Sequence, residues 1–271
     1  MYTPGEIAEN YIQIGKKKAV MNTDKMFLLA VMAGIYIAVA GCGASTAAGT
    51  IGGSAGKLIG ASVFPAGLTL VLLAGSELFT GNCLLIIPVL EREISVGAML
   101  RNWGIVYLGN FVGSILVAWM VVNSHQLSLF DGQLAVAAVN TAVAKVSMPF
   151  ADALIRGILC NLLVCLAVWV SFAAKDVTGK IIGLFYPILV FVVCGFEHSV
   201  ANMFYCPVAL FALGLPEYAK LITIDVSGLT WGSFVLKNLV PVTLGNILGG
   251  AVLVGVVYWR IYLRKEHPSL F

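Results

Sequence analysis

One short pattern constrains this chain more than any other: G-x-E-x-x-x-x-N occurs twice, each time inside a long apolar stretch. The first copy runs from Gly75 through Glu77 to Asn82, the second from Gly195 through Glu197 to Asn202. A carboxylate near the middle of a membrane-length segment costs several kcal/mol unless it faces a partner or a water-filled path. Each glutamate therefore marks either a functional site or a place where a carboxylate folds back onto broken backbone.

The rest of the composition fits that setting. Of 271 residues, 60% are hydrophobic and 11% charged, and mean hydropathy is +0.97, whereas soluble domains carry about 25% charged residues. The chain reads as an all-α integral membrane protein. No polar segment approaches the ~50 residues of a small soluble domain, and a formal charge of +3 gives no reason to expect a nucleic-acid partner. The six cysteines show neither C-x-x-C nor zinc-ligand spacing, so they read as small buried hydrophobes, and no metal or other cofactor is expected. Glu6 and Glu9 precede the first basic residue, unlike the basic start of a signal peptide.

Apolar segments run roughly over 26–48, 58–90, 103–122, 153–174, 181–215 and 239–263. Four match the ~20 residues that cross a ~30 Å hydrocarbon core. The second and fifth are too long for one straight crossing and lack a polar turn for two. Each carries the G-x-E element, so each reads as one crossing made of two half-helices, with irregular backbone at membrane depth. Ahead of them, residues 1–25 read as a cytoplasmic amphipathic helix lying on the membrane surface, with Ile7, Tyr11 and Ile14 on one face and Lys16, Lys17 and Lys18 behind. Residues 26–263 form a single transmembrane domain and 264–271 a cytoplasmic tail. Eleven of the sixteen Lys/Arg residues fall on the face shared by both termini, which makes that face cytoplasmic.

The repetition extends past the G-x-E elements. Asn102, Gly109, Asn110 and Gly113 recur 136 residues later as Asn238, Gly245, Asn246 and Gly249. Three crossings per half make the second half an inverted copy of the first, with repeats over about 26–122 and 153–263. Inverted repeats whose broken helices meet near the midplane are a transporter and channel architecture. A half-helix that starts at mid-membrane presents free N–H groups and a positive dipole end, which favours an anion. Thr80, Asn82, Asn161 and Asn202 either replace part of an anion's hydration or hold the breaks together. His198 is the one histidine inside an apolar segment, placed to donate a hydrogen bond or a proton to a weakly basic anion.

Leu73–Gly81, Gly157–Ala167 and Gly195–Met203 resemble signatures of the formate/nitrite transporter family, and the resemblance spans nearly the whole chain. It implies an aquaporin-like protomer in a homopentamer with one pore per protomer, in a bacterial cytoplasmic membrane. By resemblance the central histidine is His198, the pore threonine Thr80, the asparagines Asn161 and Asn202, and the vestibule lysine Lys145. The cytoplasmic constriction falls on Phe64 and Leu68, the outer one on Leu78, Phe79 and Phe191. Overall similarity is greatest to the hydrosulfide channel branch, so the expected cargo is hydrosulfide, with formate, nitrite and chloride also passing; a proton-coupled formate or nitrite transporter is the alternative. An intramembrane enzyme using Glu77, Glu197 and His198 is disfavoured because neither H-E-x-x-H nor G-x-S-x-G is present. A neutral-solute pore is disfavoured because the aquaporin N-P-A tripeptides are missing.

Overall fold

The computed structural model describes residues 1–264; of the expected tail only Arg264 falls within them. Helix α1 spans Pro4–Ala19 and α2 Thr23–Ala48. The first broken segment is α3 (Gly53–Gly75) followed by α4 (Phe79–Leu90), and α5 (Val96–Asn123) follows. A further helix, α6 (Gln133–Val146), precedes α7 (Phe150–Ala173). The second broken segment is α8 (Val177–Val193) and α9 (Ser199–Leu213), and α10 (Trp231–Tyr262) closes the described chain. Five of these helices, α2, α3, α5, α7 and α10, are each long and apolar enough to cross a membrane.

Several helices begin earlier than hydropathy indicated. The reason is capping: Ser95 Oγ accepts the Ala98 N–H at 3.1 Å ahead of α5, and Thr230 and Ser233 bond reciprocally ahead of α10. Such turns are helical but polar, so an apolar window misses them. Helix α6 was not anticipated at all.

Two crossings hold the body together, and they use the same device. At α2 against α5, a Cβ on Gly34 would overlap the Asn110 carbonyl and one on Gly113 the Val31 carbonyl; at α7 against α10, Gly245 and Gly249 meet the carbonyls of Leu154 and Ile158 in the same way. Absent side chains let the backbones approach closely, as membrane helix packing requires when lipid offers no hydrophobic gain.

Helix α1 corrects the surface-helix expectation. Its start is a capping box, with the Glu6 N–H donating to Thr3 Oγ1 at 3.3 Å and the Thr3 N–H to Glu6 Oε2 at 2.7 Å. Its apolar face is turned to protein: Ile7, Ala8 and Tyr11 are buried, and the Tyr11 hydroxyl donates to the Gly81 carbonyl at 3.2 Å. The helix packs beneath the first break rather than lying on lipid.

Candidate functional site

Both broken segments end their first helix identically. The Ser76 N–H donates to the Val71 carbonyl and the Phe196 N–H to the Phe191 carbonyl, each at 3.0 Å. Between them sit Gly75 with φ +83° and Gly195 with φ +68°. This is a Schellman stop, which asks for a left-handed residue and so for glycine. The chain then crosses three extended residues before the second helix starts.

Each glutamate is buried at its break and bonded to a lysine from the helix one crossing earlier, Lys18 of α1 for Glu77 and Lys145 of α6 for Glu197. Lys18 Nζ lies 2.8 Å from both Glu77 oxygens and 2.9 Å from Asn82 Oδ1. Lys145 Nζ lies 2.9 and 3.0 Å from the Glu197 oxygens. Asn82 Nδ2 bridges Glu77 to Asn102, and Asn202 Nδ2 bridges Glu197 to Asn238. Asn110 ties the Glu77 carbonyl to the Phe79 N–H, while Asn246 ties the Glu197 carbonyl to the Ser199 N–H. Buried charges held this way satisfy the requirement that each be paired and hydrogen-bonded. Lys145 is thus a largely buried residue in the last turn of α6. Lys18 was missed as its counterpart; the signal available was that Lys18 precedes Lys145 by the interval separating Leu29 from Arg156, whose carbonyls accept the Glu77 and Glu197 N–H groups.

The two copies differ where the half-helices meet. Position for position, Leu78 stands where the second copy has His198, and Thr80 where it has Val200. His198 caps α9: its Nδ1 accepts the Ala201 N–H at 3.0 Å. With Nδ1 an acceptor, the ring hydrogen resides on Nε2, which donates to Thr80 Oγ1 at 3.0 Å. The Thr80 hydroxyl hydrogen is then free to donate. Leu78 supplies no side-chain cap to α4, so the Thr80 and Gly81 N–H groups have no partner among the described residues. Asn161 Nδ2 binds the Thr80 carbonyl at 3.2 Å and the Asn246 carbonyl at 2.7 Å, which makes it a tie between α4, α7 and α10.

Apolar side chains flank this centre, grouped differently from the expectation. Phe64 and Phe191 meet edge to face with centroids 5.6 Å apart, and Phe191 stacks on the His198 ring at 6.0 Å. Leu68 and Leu78 instead line a cavity of about 40 Å³ with Tyr11, Lys18 and Asn82, on the α1 side. Four residues of helix span about 6 Å of depth, so Phe64 and Leu68 share a face of α3 but not a level. Phe79 packs on Tyr107 and Trp103 of α5, with centroids 4.9 and 6.1 Å away. At the other end lies an open cleft of about 290 Å³ lined by Ser45, Lys57, Thr141, Val192 and Tyr205 among others. Among the described residues no His, Cys, Asp or Glu cluster is suited to a metal. Four cysteines are buried, but Cys194 is exposed where α8 ends.

Comparison with known proteins gives one consistent result. The formate/nitrite transporter family profile matches residues 5–260. The chain is 41% identical to an uncharacterized transporter, YrhG, of Bacillus subtilis (strain 168), over 97% of this chain and 94% of that protein. It is 37% identical to the formate channel FocA of Escherichia coli (strain K12), over 97% and 95%. A solved pentameric formate channel with formate bound superposes with a TM-score of 0.80 at 37% identity, covering 92% of this chain and 99% of that one.

Proposed function

The chain belongs to the formate/nitrite transporter family, and from that premise we propose that it is a channel for small monovalent weak-acid anions, formate and hydrosulfide foremost, with nitrite and chloride as further cargo. The family is one of membrane transporters, and the named relatives are transporters and channels, not enzymes. Formate is supported by the relatives named for it; hydrosulfide is carried over from the resemblance read in the sequence alone.

The observation that carries the reading is the His198–Thr80 pair. In it the His198 ring donates to Thr80, Phe191 stacks on that ring, and Leu68 and Leu78 line the cavity that reaches Gly81 on the α1 side. An anion that has shed water between apolar side chains meets the Thr80 hydroxyl and the free N–H groups at the start of α4. Donors to a charged partner contribute about 1.5–3 kcal/mol each, which offsets part of the dehydration. The ring presents a single N–H. Handing over a proton requires a doubly protonated ring, which forfeits the Ala201 bond, so hydrogen bonding is its resting role and proton coupling a separate step.

Around this centre, the paired networks of Glu77 with Lys18 and Glu197 with Lys145 support six crossings in a 3+3 inverted repeat. Residues 1–25 form the cytoplasmic helix, 26–263 the channel, and both termini face the cytoplasm. Asn161, Asn202, Glu77 and Glu197 then frame the pathway rather than touch the anion. Five such protomers assemble, each with its own pore.

The test is flux of formate, nitrite, hydrosulfide and chloride into proteoliposomes, for the wild type and His198→Asn. Asparagine still caps α9 but lacks the Nε2 donor. Weak-acid anions are expected to outpace chloride in the wild type and to slow about 10-fold or more in the variant, the kinetic equivalent of one lost charge-assisted bond. Glycerol permeation without anion flux would overturn the reading.

A further inference from the structure

Lys18 and Lys145, the lysines at the two breaks, bring no net charge to the pore. Each ammonium is committed to both oxygens of a buried glutamate, so each break holds a neutral pair. Lys57 is different. It stands in the second turn of α3, is exposed, and makes no hydrogen bond, ion pair or ring contact among the described residues.

Three placements make this lysine more than a solvated surface charge. It lines the cleft of about 290 Å³ and is the one lining residue there charged at neutral pH. The cleft also includes Ala61 and Val192, one helical turn before Phe64 and next to Phe191 in the chain, so it ends on the α3 and α8 segments that carry the aromatic pair. The ammonium reaches the second break itself, because a Cβ added to Gly195 would lie 3.3 Å from Lys57 Nζ. That is the C-terminal end of α8, whose partial negative charge holds a cation in place without neutralising it.

On the reading of this pore as an anion channel, we propose that Lys57 is the residue that draws anions into the cleft and onto the Phe64/Phe191 pair. Across about 8 Å of water one unit charge changes local anion concentration about two-fold, and charge inversion about five-fold. The effect is set by long-range field and disappears with screening, since the Debye length falls from ~30 Å at 0.01 M to ~3 Å at 1 M salt. A structural role for Lys57 predicts no such salt dependence.

Two measurements test it. Formate flux at subsaturating concentration, into proteoliposomes oriented with the cleft outside, is compared for the wild type, Lys57→Glu, Lys57→Gln and Lys57→Arg. At low ionic strength Lys57→Glu is expected to lose about five-fold and Lys57→Gln about two-fold, with Lys57→Arg unchanged and all four equal in high salt. Equal flux of Lys57→Glu and wild type at low salt, or a loss that high salt does not erase, overturns the proposal. Separately, a Thr141→Cys probe in the cleft, in a Cys194→Ser background, is reacted with anionic and cationic methanethiosulfonates. Lys57→Gln is expected to lower the anionic-to-cationic rate ratio, and an unmoved ratio overturns the proposal even where flux is silent. Absence of formate flux in the wild type with a ratio that does respond would strike the channel reading alone.

Discussion

Four hydrogen bonds converge on the Glu197 carboxylate, two from Lys145, one from Asn202 and one from Asn238. Removing the cation leaves the carboxylate buried without a countercharge, which costs about 3–5 kcal/mol where a buried pair is broken. Lys145→Met is therefore expected to lower the thermal unfolding temperature of the detergent-solubilised protein sharply. Adding Glu197→Gln should restore most of it, because the amide still accepts from Asn202. A double variant no more stable than the single one would show that the ion pair is not what the break depends on. At this scale the sequence spoke where chemistry is expensive: a carboxylate inside an apolar run is conspicuous, so Glu77 and Glu197 were legible. Lys18 was not, because in a run of three lysines each looks like a solvated charge. Its role follows only from register against Lys145. The same holds for Leu78, which becomes informative once it is seen to stand at the position of His198.

At the scale of elements, α1 shows the limit of amphipathicity as a signal. Its apolar stripe was readable, but a stripe does not say whether lipid or protein covers it, and here Tyr11 is buried beneath the first break. Its first turn has a pH signature. Hydrogen bonds from the Thr3 N–H, and then from the Thr3 hydroxyl, hold the Glu6 carboxyl below its ordinary 4.5. A carboxyl depressed in the folded state contributes stability that is full above its unfolded value and lost as pH falls through the folded one. Hydrogen exchange, corrected for intrinsic rates, is expected to show the first turn of α1 opening as pH drops from neutral into the acid range below 4.5. In Glu6→Gln the turn should be looser at neutral pH and less sensitive to acid. An identical pH response in both proteins would remove Glu6 as the cause. Helix α6 lay outside what hydropathy reports, because its sequence is short and only moderately apolar. Its counterpart α1 offered the sole hint, a helix ending in lysine just ahead of a crossing.

For the molecule as a whole, oligomeric state is the property the sequence hides best. Windows of the five long helices are 39–50% buried within a single chain, and the remaining apolar surface suits lipid and a sister helix alike, since neither gives a hydrophobic advantage over the other. The proposed pore is another matter. Phe64 meets Phe191, Phe191 stacks on His198, and His198 bonds Thr80, all within one chain, so the proposed site is assembled from a single protomer. The two facts combine into one prediction. Native mass spectrometry in mild detergent is expected to show five copies of the 28.7 kDa chain, as the structural relative is pentameric. Assemblies that mix wild type and His198→Asn should then carry formate in direct proportion to the wild-type fraction, half the flux at equal mixing. Were permeation instead a property of the assembled ring, through its central axis or a concerted gate, flux would fall as a high power of that fraction. Linear dependence places the pore inside each protomer whatever the number of copies; a steep dependence would move it to the axis and leave the His198–Thr80 pair without its assigned role.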